Sequence, residues 1–396
     1  MYKNLNIRIL HLLLYFSFFT AIIDVLLGME AFLFNSDTLS IVYRVLFFFK
    51  FLLVFFALLH QKRIKVNFFI LFLVFFIVTK TLLGLSNLSV WYFLHIYFYS
   101  FIIFGYFFAA NIADSELHLN ALSKKTILLI FYLTLLLIIV YYFLFLFGYI
   151  NYFGIGVNWH LFVPYILSIN SSNLLLAIAL FACLLTGKRG SLLIFLSLIG
   201  LKKFTISLRN FLFITPLILI LVISVAFYIG LLDRFMPIVE LFLEIDFEDL
   251  PRLYELLFFA SSGRSDEIIS YLSSNLDATN IIFGQLPGHT FYLYDTFHDE
   301  YSPHYFIHFS PANIFFHFGL IGFIPIMYYQ IKVFLWTISE YRKTNNLMYG
   351  LFQGYFLLSI FGAIIVVDIL FWICFFYAYI KMKSIQNPQV YLKEGL

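Results

Sequence analysis

An all-α, polytopic transmembrane helical bundle of about 10–12 spans with one large external loop is the fold class this sequence predicts. Three observations predict it. Hydrophobic residues make up 63% of the 396 and charged residues only 11%, against roughly 45–50% and 25% in an average soluble domain, so water cannot be the solvent for most of this surface. The excess is carried by Phe (55) and Tyr (28) as well as Leu and Ile, in runs of about 20 residues with few charges, the length that crosses a bilayer core as a helix. Lysines and arginines collect in every second connection between those runs. The alternating ten-residue strands of an outer-membrane barrel are not visible.

Apolar spans read at 6–27, 40–59, 66–86, 91–112, 126–149, 170–201, 211–232, 310–336, 347–366 and 369–382. Lys3 and Arg8 precede the first, and no small-residue cleavage site follows it, which predicts a retained signal anchor with a cytoplasmic N-terminus. Under the positive-inside rule the cytoplasmic side receives His60 to Lys65, Lys124-Lys125, Lys202-Lys203 with Arg209, Arg342-Lys343 and the tail from Lys381. The opposite connections, Met29 to Thr38, Ser86 to Val90 and Tyr149 to Ile169, contain no Lys or Arg. The expectation is a bacterial inner-membrane protein with both termini cytoplasmic. Its parts are N-terminal spans over 1–232, an external loop over 233–309, and C-terminal spans with a cytoplasmic tail over 310–396.

The run 170–201 breaks the regularity. As one helix it would be roughly 48 Å long against a core of about 30 Å. Gly187-Lys188-Arg189-Gly190 sits in its middle, and a glycine-flanked basic pair inside an apolar run is the expected place for a helix break, whether the segment is one broken helix or two short ones. Cys183 and Cys374 lie within apolar runs and read as small apolar fillers. Residues 233–309 form a loop far longer than a connection requires, which argues for function. It contains no lysine, the three arginines Arg234, Arg252 and Arg264, and the four histidines His289, His298, His304 and His308. No nucleotide-binding P-loop, dinucleotide fingerprint, zinc-protease motif or nucleophile elbow is present, so no cofactor or metal is expected and nucleic acid is not an expected partner.

Chemistry at membrane depth points first to Arg189, because an ionised side chain there costs several kcal/mol unless it faces a cavity, a partner or a ligand. The alternative is that Lys188 and Arg189 end a helix and snorkel to the interface. Arg264 stands before Ser265, which reads as a helix cap followed by Asp266 and Glu267 in the first turn. It can approach a phosphate there, or form a surface ion pair with a neighbouring carboxylate. Gly284-Gln285-Leu286-Pro287-Gly288 reads as a turn cluster. His308, just outside the eighth span and near Ser310 and Asn313, can accept a proton from a sugar hydroxyl or serve as an interfacial anchor. His304 and His317 compete with it, His317 lying deeper in the span. Arg44, Arg234 and Arg252 are the next candidates to bind a substrate.

In order and spacing these pieces resemble the O-antigen polymerase and O-antigen ligase superfamily. Thr186-Gly187-Lys188-Arg189-Gly190-Ser191 looks like its "t-x-S-R-G" segment, with Lys188 in place of the usual serine. Gly263-Arg264-Ser265 looks like the "G-R" of its external loop, and Phe283-Gly284 to Gly288 like the "l-f-G-x-G-x-G" that follows. His308 to Gly322, ending Phe318-Gly319-Leu320-Ile321-Gly322, looks like the "H-N … G-l-i-G" that opens the next helix, with Phe309 where Asn or Ser is usual.

The resemblance covers about 170–322. It implies a membrane glycosyltransferase whose donor is a glycan on undecaprenyl diphosphate, transferred to a hydroxyl of a lipid-linked acceptor on the external face. It assigns Arg189 and Arg264 to the diphosphate and His308 to the acceptor hydroxyl. Lipopolysaccharide or capsule biosynthesis is then the setting, with membrane lipid, a flippase and a chain-length regulator as partners. A ligase acting on lipid A-core shares all these motifs. A flippase or transporter is expected to show repeated halves with paired broken helices, of which the sequence shows one.

Overall fold

The computed structural model describes residues 2–33, 38–59, 68–113, 124–149, 157–169, 173–186, 189–203, 267–268, 270–271, 277–295, 300–304, 307, 309–361 and 368–386. The helices in chain order are α1 (Tyr2–Leu33), α2 (Thr38–Leu59), α3 (Phe68–Leu83), α4 (Val90–Ala113), α5 (Lys124–Leu146), α6 (Trp159–Ser168), α7 (Asn173–Leu185), α8 (Arg189–Lys203), α9 (Ala278–Phe283), α10 (Ser310–Thr344), α11 (Leu347–Phe361) and α12 (Ile369–Gln386). A short 3-10 turn, Gly84–Asn87, follows α3. The protein is an all-α bundle. Five of the described helices, led by α1, α3, α4, α5 and α10, are long and apolar enough to cross a membrane.

Helix α12 is buried from Ile369 to Ile380 without an exposed face, as a helix apolar all round must be when protein covers it on every side. It packs against α4, α11 and α10. Gly105 of α4 permits the closest approach, since a Cβ there would stand 2.7 Å from Cβ of Trp372. Without a hydrophobic drive between helices in lipid, such small-residue contacts and van der Waals packing hold the pair together.

Helix α3 shows how a membrane helix sorts two faces that are both apolar. Phe68, Leu71, Phe75, Val78 and Leu82 are exposed, while Phe69, Ile70, Leu73, Phe76, Ile77 and Lys80 are buried. The buried stripe, not the greasier one, carries the lysine. Exposed Phe and Leu at this density would be an aggregation liability in water.

Residues 187–188 of the expected break lie outside the described residues, and within the run 170–201 the structure describes two helices, α7 and α8. At 13 and 15 residues they measure roughly 20 Å and 22 Å, each too short to cross a core of about 30 Å alone. The expected span 211–232 lies outside the described residues, as do the ranges 204–266 and 387–396 of the loop and tail.

Two expectations need correction. Residues 149–169 are not merely an external connection: α6 occupies 159–168 and is buried from Trp159 to Leu167. Ten residues are too few to announce a span, and Pro164 in the middle argues against a helix. The missing N–H of Pro164 leaves the carbonyl of His160 without its helical donor. That oxygen sits against Gly354 of α11, where any Cβ would collide with it. The eighth span also runs further than its apolar run, to Thr344, and is interrupted: Gly319 takes φ 56° and ψ −170° inside α10.

At the other end of α10, Lys202 Nζ of α8 donates to the carbonyl of Tyr341 at 2.5 Å and to Oδ1 of Asn345 at 2.5 Å, with its ammonium 4.0 Å from the Tyr341 ring centroid. Arg342 Nε donates to the carbonyl of Leu201 at 2.5 Å. Two basic clusters that the charge pattern assigns to one side are therefore in contact at one end of the bundle.

Candidate functional site

Residues 233–309, which precede α10, make up the long polar segment, and what the structure describes of it folds back onto α10. Glycine alone makes that docking possible. With Gly319 out of helical geometry, the carbonyls just before it lose their donors one turn on. The chain supplies others: Gln285 N–H donates to the carbonyl of Phe316 at 2.8 Å, and Lys80 Nζ donates to the carbonyls of His317 and, at 3.0 Å, of Phe283. Gly284, at φ 73°, lies against Gly319, so that a Cβ on Gly284 would fall 2.5 Å from Gly319 N. Two glycines face each other because no side chain fits between the backbones.

Histidines occupy the next layer. Gly288 N–H donates to Nδ1 of His95 at 2.9 Å, so the neutral imidazole carries its proton on Nε2. The rings of His95 and His317 stand edge to face at 4.7 Å, and Tyr99 Oη lies 3.5 Å from Nδ1 of His317. Tyr99, Asn313 and His317 share a crevice with Phe98, Ile102, Ile314, Phe318 and Trp372 that has room for about one water molecule. It is too small for a sugar. His289, next along the loop, is pushed below its ordinary range by burial, against the opposing pull of Asp277.

Above this layer lies a separate apolar cluster made by the loop and the first turns of α10. Tyr271, Phe291, Ile307 and Phe316 are its buried members. The Tyr271 and Phe316 rings are 4.8 Å apart, and those of Phe291 and Phe316 5.7 Å. Phe291 opens an antiparallel hairpin, β1 (Phe291–Asp295) with β2 (Glu300–His304), pairing Phe291 with His304. The sequence reading had no strand here. Asn313 bridges the cluster to α10: its Oδ1 accepts from Ile307 N–H at 2.9 Å, and its own N–H donates to the carbonyl of Phe309 at 2.9 Å.

Of the residues singled out in the sequence, His308, Arg264, Arg234 and Arg252 lie outside the described residues. Arg189 opens α8 and Arg44 lies in α2, and the side chains of both are likewise outside the description. The flanks of two of them are described. Glu267, Ile268, Ser270 and Tyr271 are helical, and the expected cap at Ser265 lies outside the described residues. Ile268 packs on the apolar cluster that also contains Ile307 and borders Phe309. His317 is buried.

Sequence reasoning missed Lys80, His95 and Tyr99. It also missed a second buried polar group. Lys50 Nζ of α2 lies 3.8 Å from Oδ2 of Asp368, just before α12, and Tyr355 Oη of α11 donates to the same oxygen at 2.7 Å. The His160 ring packs 4.7 Å from that of Tyr355. Ionisable residues interrupting apolar runs were the available signal. Among the described residues no group of three His, Cys, Asp or Glu side chains is placed to hold a metal ion. Comparison with protein families, with curated proteins and with solved structures returns no match.

Proposed function

We propose that this chain is a polymerase of bacterial surface polysaccharide, O-antigen or capsule, acting at the external face of the inner membrane on glycans carried by undecaprenyl diphosphate. In that reading the acceptor hydroxyl of a lipid-linked repeat unit attacks the anomeric carbon of the donor chain. The new glycosidic bond forms as the bond from that carbon to the diphosphate oxygen breaks. His308 takes the hydroxyl proton, and the diphosphate leaves with the bonding pair. Arg189 and Arg264 hold it, because a planar, permanently charged fork grips two phosphate oxygens as charge develops.

One observation carries the reading beyond motif order. Ile268 and Tyr271, which follow Arg264 in sequence, and Ile307 and Phe309, the neighbours of His308, belong to a single apolar cluster on the first turns of α10. That tie supports a shared site for a cation and a base, both of which lie outside the described residues. The third motif, Gly284 to Gly288, docks directly beneath the cluster.

A transporter is favoured by one specific feature, the second helix interruption at Gly319, which the sequence does not announce. In transporters such breaks leave carbonyls open to a coupling ion. Here Lys80 Nζ and Gln285 N–H already occupy the carbonyls beside the break. The interruption therefore supports loop docking better than ion coupling.

The test is elongation by the purified protein in lipid, supplied with prenyl-diphosphate repeat units. Arg189→Ala and Arg264→Ala should each abolish chain growth while the protein stays monodisperse, and lysine at either position should rescue poorly. Near-normal chain length from either variant would sink that residue's role and turn attention to Arg44, Arg234 and Arg252. A deletion strain separates the two acceptors: single-repeat surface glycan marks a polymerase, accumulated lipid-linked polymer a ligase.

A further inference from the structure

Three lysines in the C-terminal halves of α10 and α12 repeat one local pattern. Lys332, Lys381 and Lys383 each stand four residues after a tyrosine, Tyr328, Tyr377 and Tyr379. Each ammonium lies over that ring, at 5.6, 5.9 and 5.9 Å from its centroid. Lys383 also lies 5.6 Å from the Tyr329 ring of α10. The Tyr328 and Tyr329 rings are 5.2 Å apart, as are those of Tyr329 and Tyr379. Phe69 of α3 closes on Tyr329 at 4.5 Å and on Tyr379 at 5.7 Å. Lys332 and Lys383 thus share one aromatic floor built by α3, α10 and α12.

Side chains on a helix lean toward its N-terminus, so each ammonium is drawn back over the preceding turn, toward the apolar run and away from the polar end. A cation held there needs a counter-charge, and ring faces at nearly 6 Å supply a small part of it. Among the described residues no carboxylate pairs with Lys332 or Lys383; Glu340, the nearest in sequence to Lys332, pairs with Lys343. Beside Lys332, the exposed residues Ile324, Tyr328, Ile331 and Leu335 recur at the spacing of one helix face.

From this arrangement we propose that Lys332 and Lys383 bind the phosphate of an anionic phospholipid whose acyl chains lie along the exposed stripe of α10. Basic pockets between membrane helices take anionic head groups by this chemistry. The lysines select the phosphate, and the stripe selects a lipid over a free anion. The site is independent of the polymerase reading and uses none of its residues.

The test is binding to the full chain, purified in neutral detergent and titrated with phosphatidylglycerol, phosphatidylcholine or inorganic phosphate. Bound lipid is counted by native mass spectrometry and read again as a shift in thermal midpoint. Phosphatidylglycerol should be retained and raise the midpoint; the other two should do neither. A lysine at an anionic lipid surface is worth about fivefold in affinity, so Lys332→Gln with Lys383→Gln should weaken phosphatidylglycerol binding about 30-fold. Arginine at both positions should keep it. Lys124→Gln with Lys125→Gln, in an exposed pair that opens α5, removes the same charge elsewhere and should leave binding unchanged. Should the glutamine pair fail to fold, each single variant should still weaken binding about fivefold. Equal loss from the two glutamine pairs, no loss from the single variants, equal binding of phosphatidylcholine, or the same shift from inorganic phosphate would each overturn the site.

Discussion

Gly319 and Lys80 each do something their residue types rarely do in an apolar helix, and each depends on the other. The glycine's positive φ opens the carbonyls that the ammonium then satisfies. Alanine at 319 would meet strain of about 1–3 kcal/mol from the backbone alone, and its Cβ would strike the backbone of Ile282 and Gly284. Gly319→Ala should therefore lower the thermal midpoint of the detergent-purified protein and free the 277–304 segment to protease. Lys80→Met should do the same, at about 1–3 kcal/mol for each carbonyl left unsatisfied. An unchanged protease pattern in both variants would contradict the docked arrangement. Lys80 was not legible in the sequence because it stands one turn from the end of an apolar run, where lysine ordinarily snorkels. Its partners are 203 and 237 positions away.

At the scale of helices, the apolar runs located α1 to α5 and α10 to α12, since length and hydropathy are the physical requirement for crossing a membrane. What hydropathy cannot report is a helix that never needs to cross. Helix α6 is too short and contains Pro164, and its place is decided by partners: Tyr341 Oη donating to the Pro164 carbonyl at 2.6 Å, and Gly354 admitting the His160 carbonyl. The Lys50–Asp368 pair joins α2 to α12 in the same long-range way, with side chains 2% and 13% exposed. Removing one partner strands the other, so Lys50→Ala should cost about 3–5 kcal/mol. Replacing both with apolar residues of similar size should recover most of that loss in chemical-denaturation midpoints. Additive losses in the double variant would mean the two charges are not coupled.

For the whole molecule, the Lys/Arg asymmetry predicts that 233–309 faces outward and both termini face the cytoplasm. A cysteine at Ser274 should react with an impermeant thiol reagent in intact spheroplasts; labelling only after the membrane is opened would rule the orientation out. The sequence contains neither a phosphate loop nor a metal-ligand spacing, so elongation should persist in EDTA, and a strict divalent-cation requirement would make the loop carboxylates candidate ligands. The contact between α3 and the break in α10 also sets a timetable for biogenesis. Lys80 enters the bilayer early, whereas the carbonyl of His317 is made 237 residues later. At about 5–20 residues per second, the ammonium waits roughly 10–50 s before its final partner exists. During that interval α3 must keep its lysine near an interface, or hand it to the insertion machinery. A nascent chain stalled before α10 would therefore expose an early helix to quality-control proteolysis, although every residue of that helix is already in place.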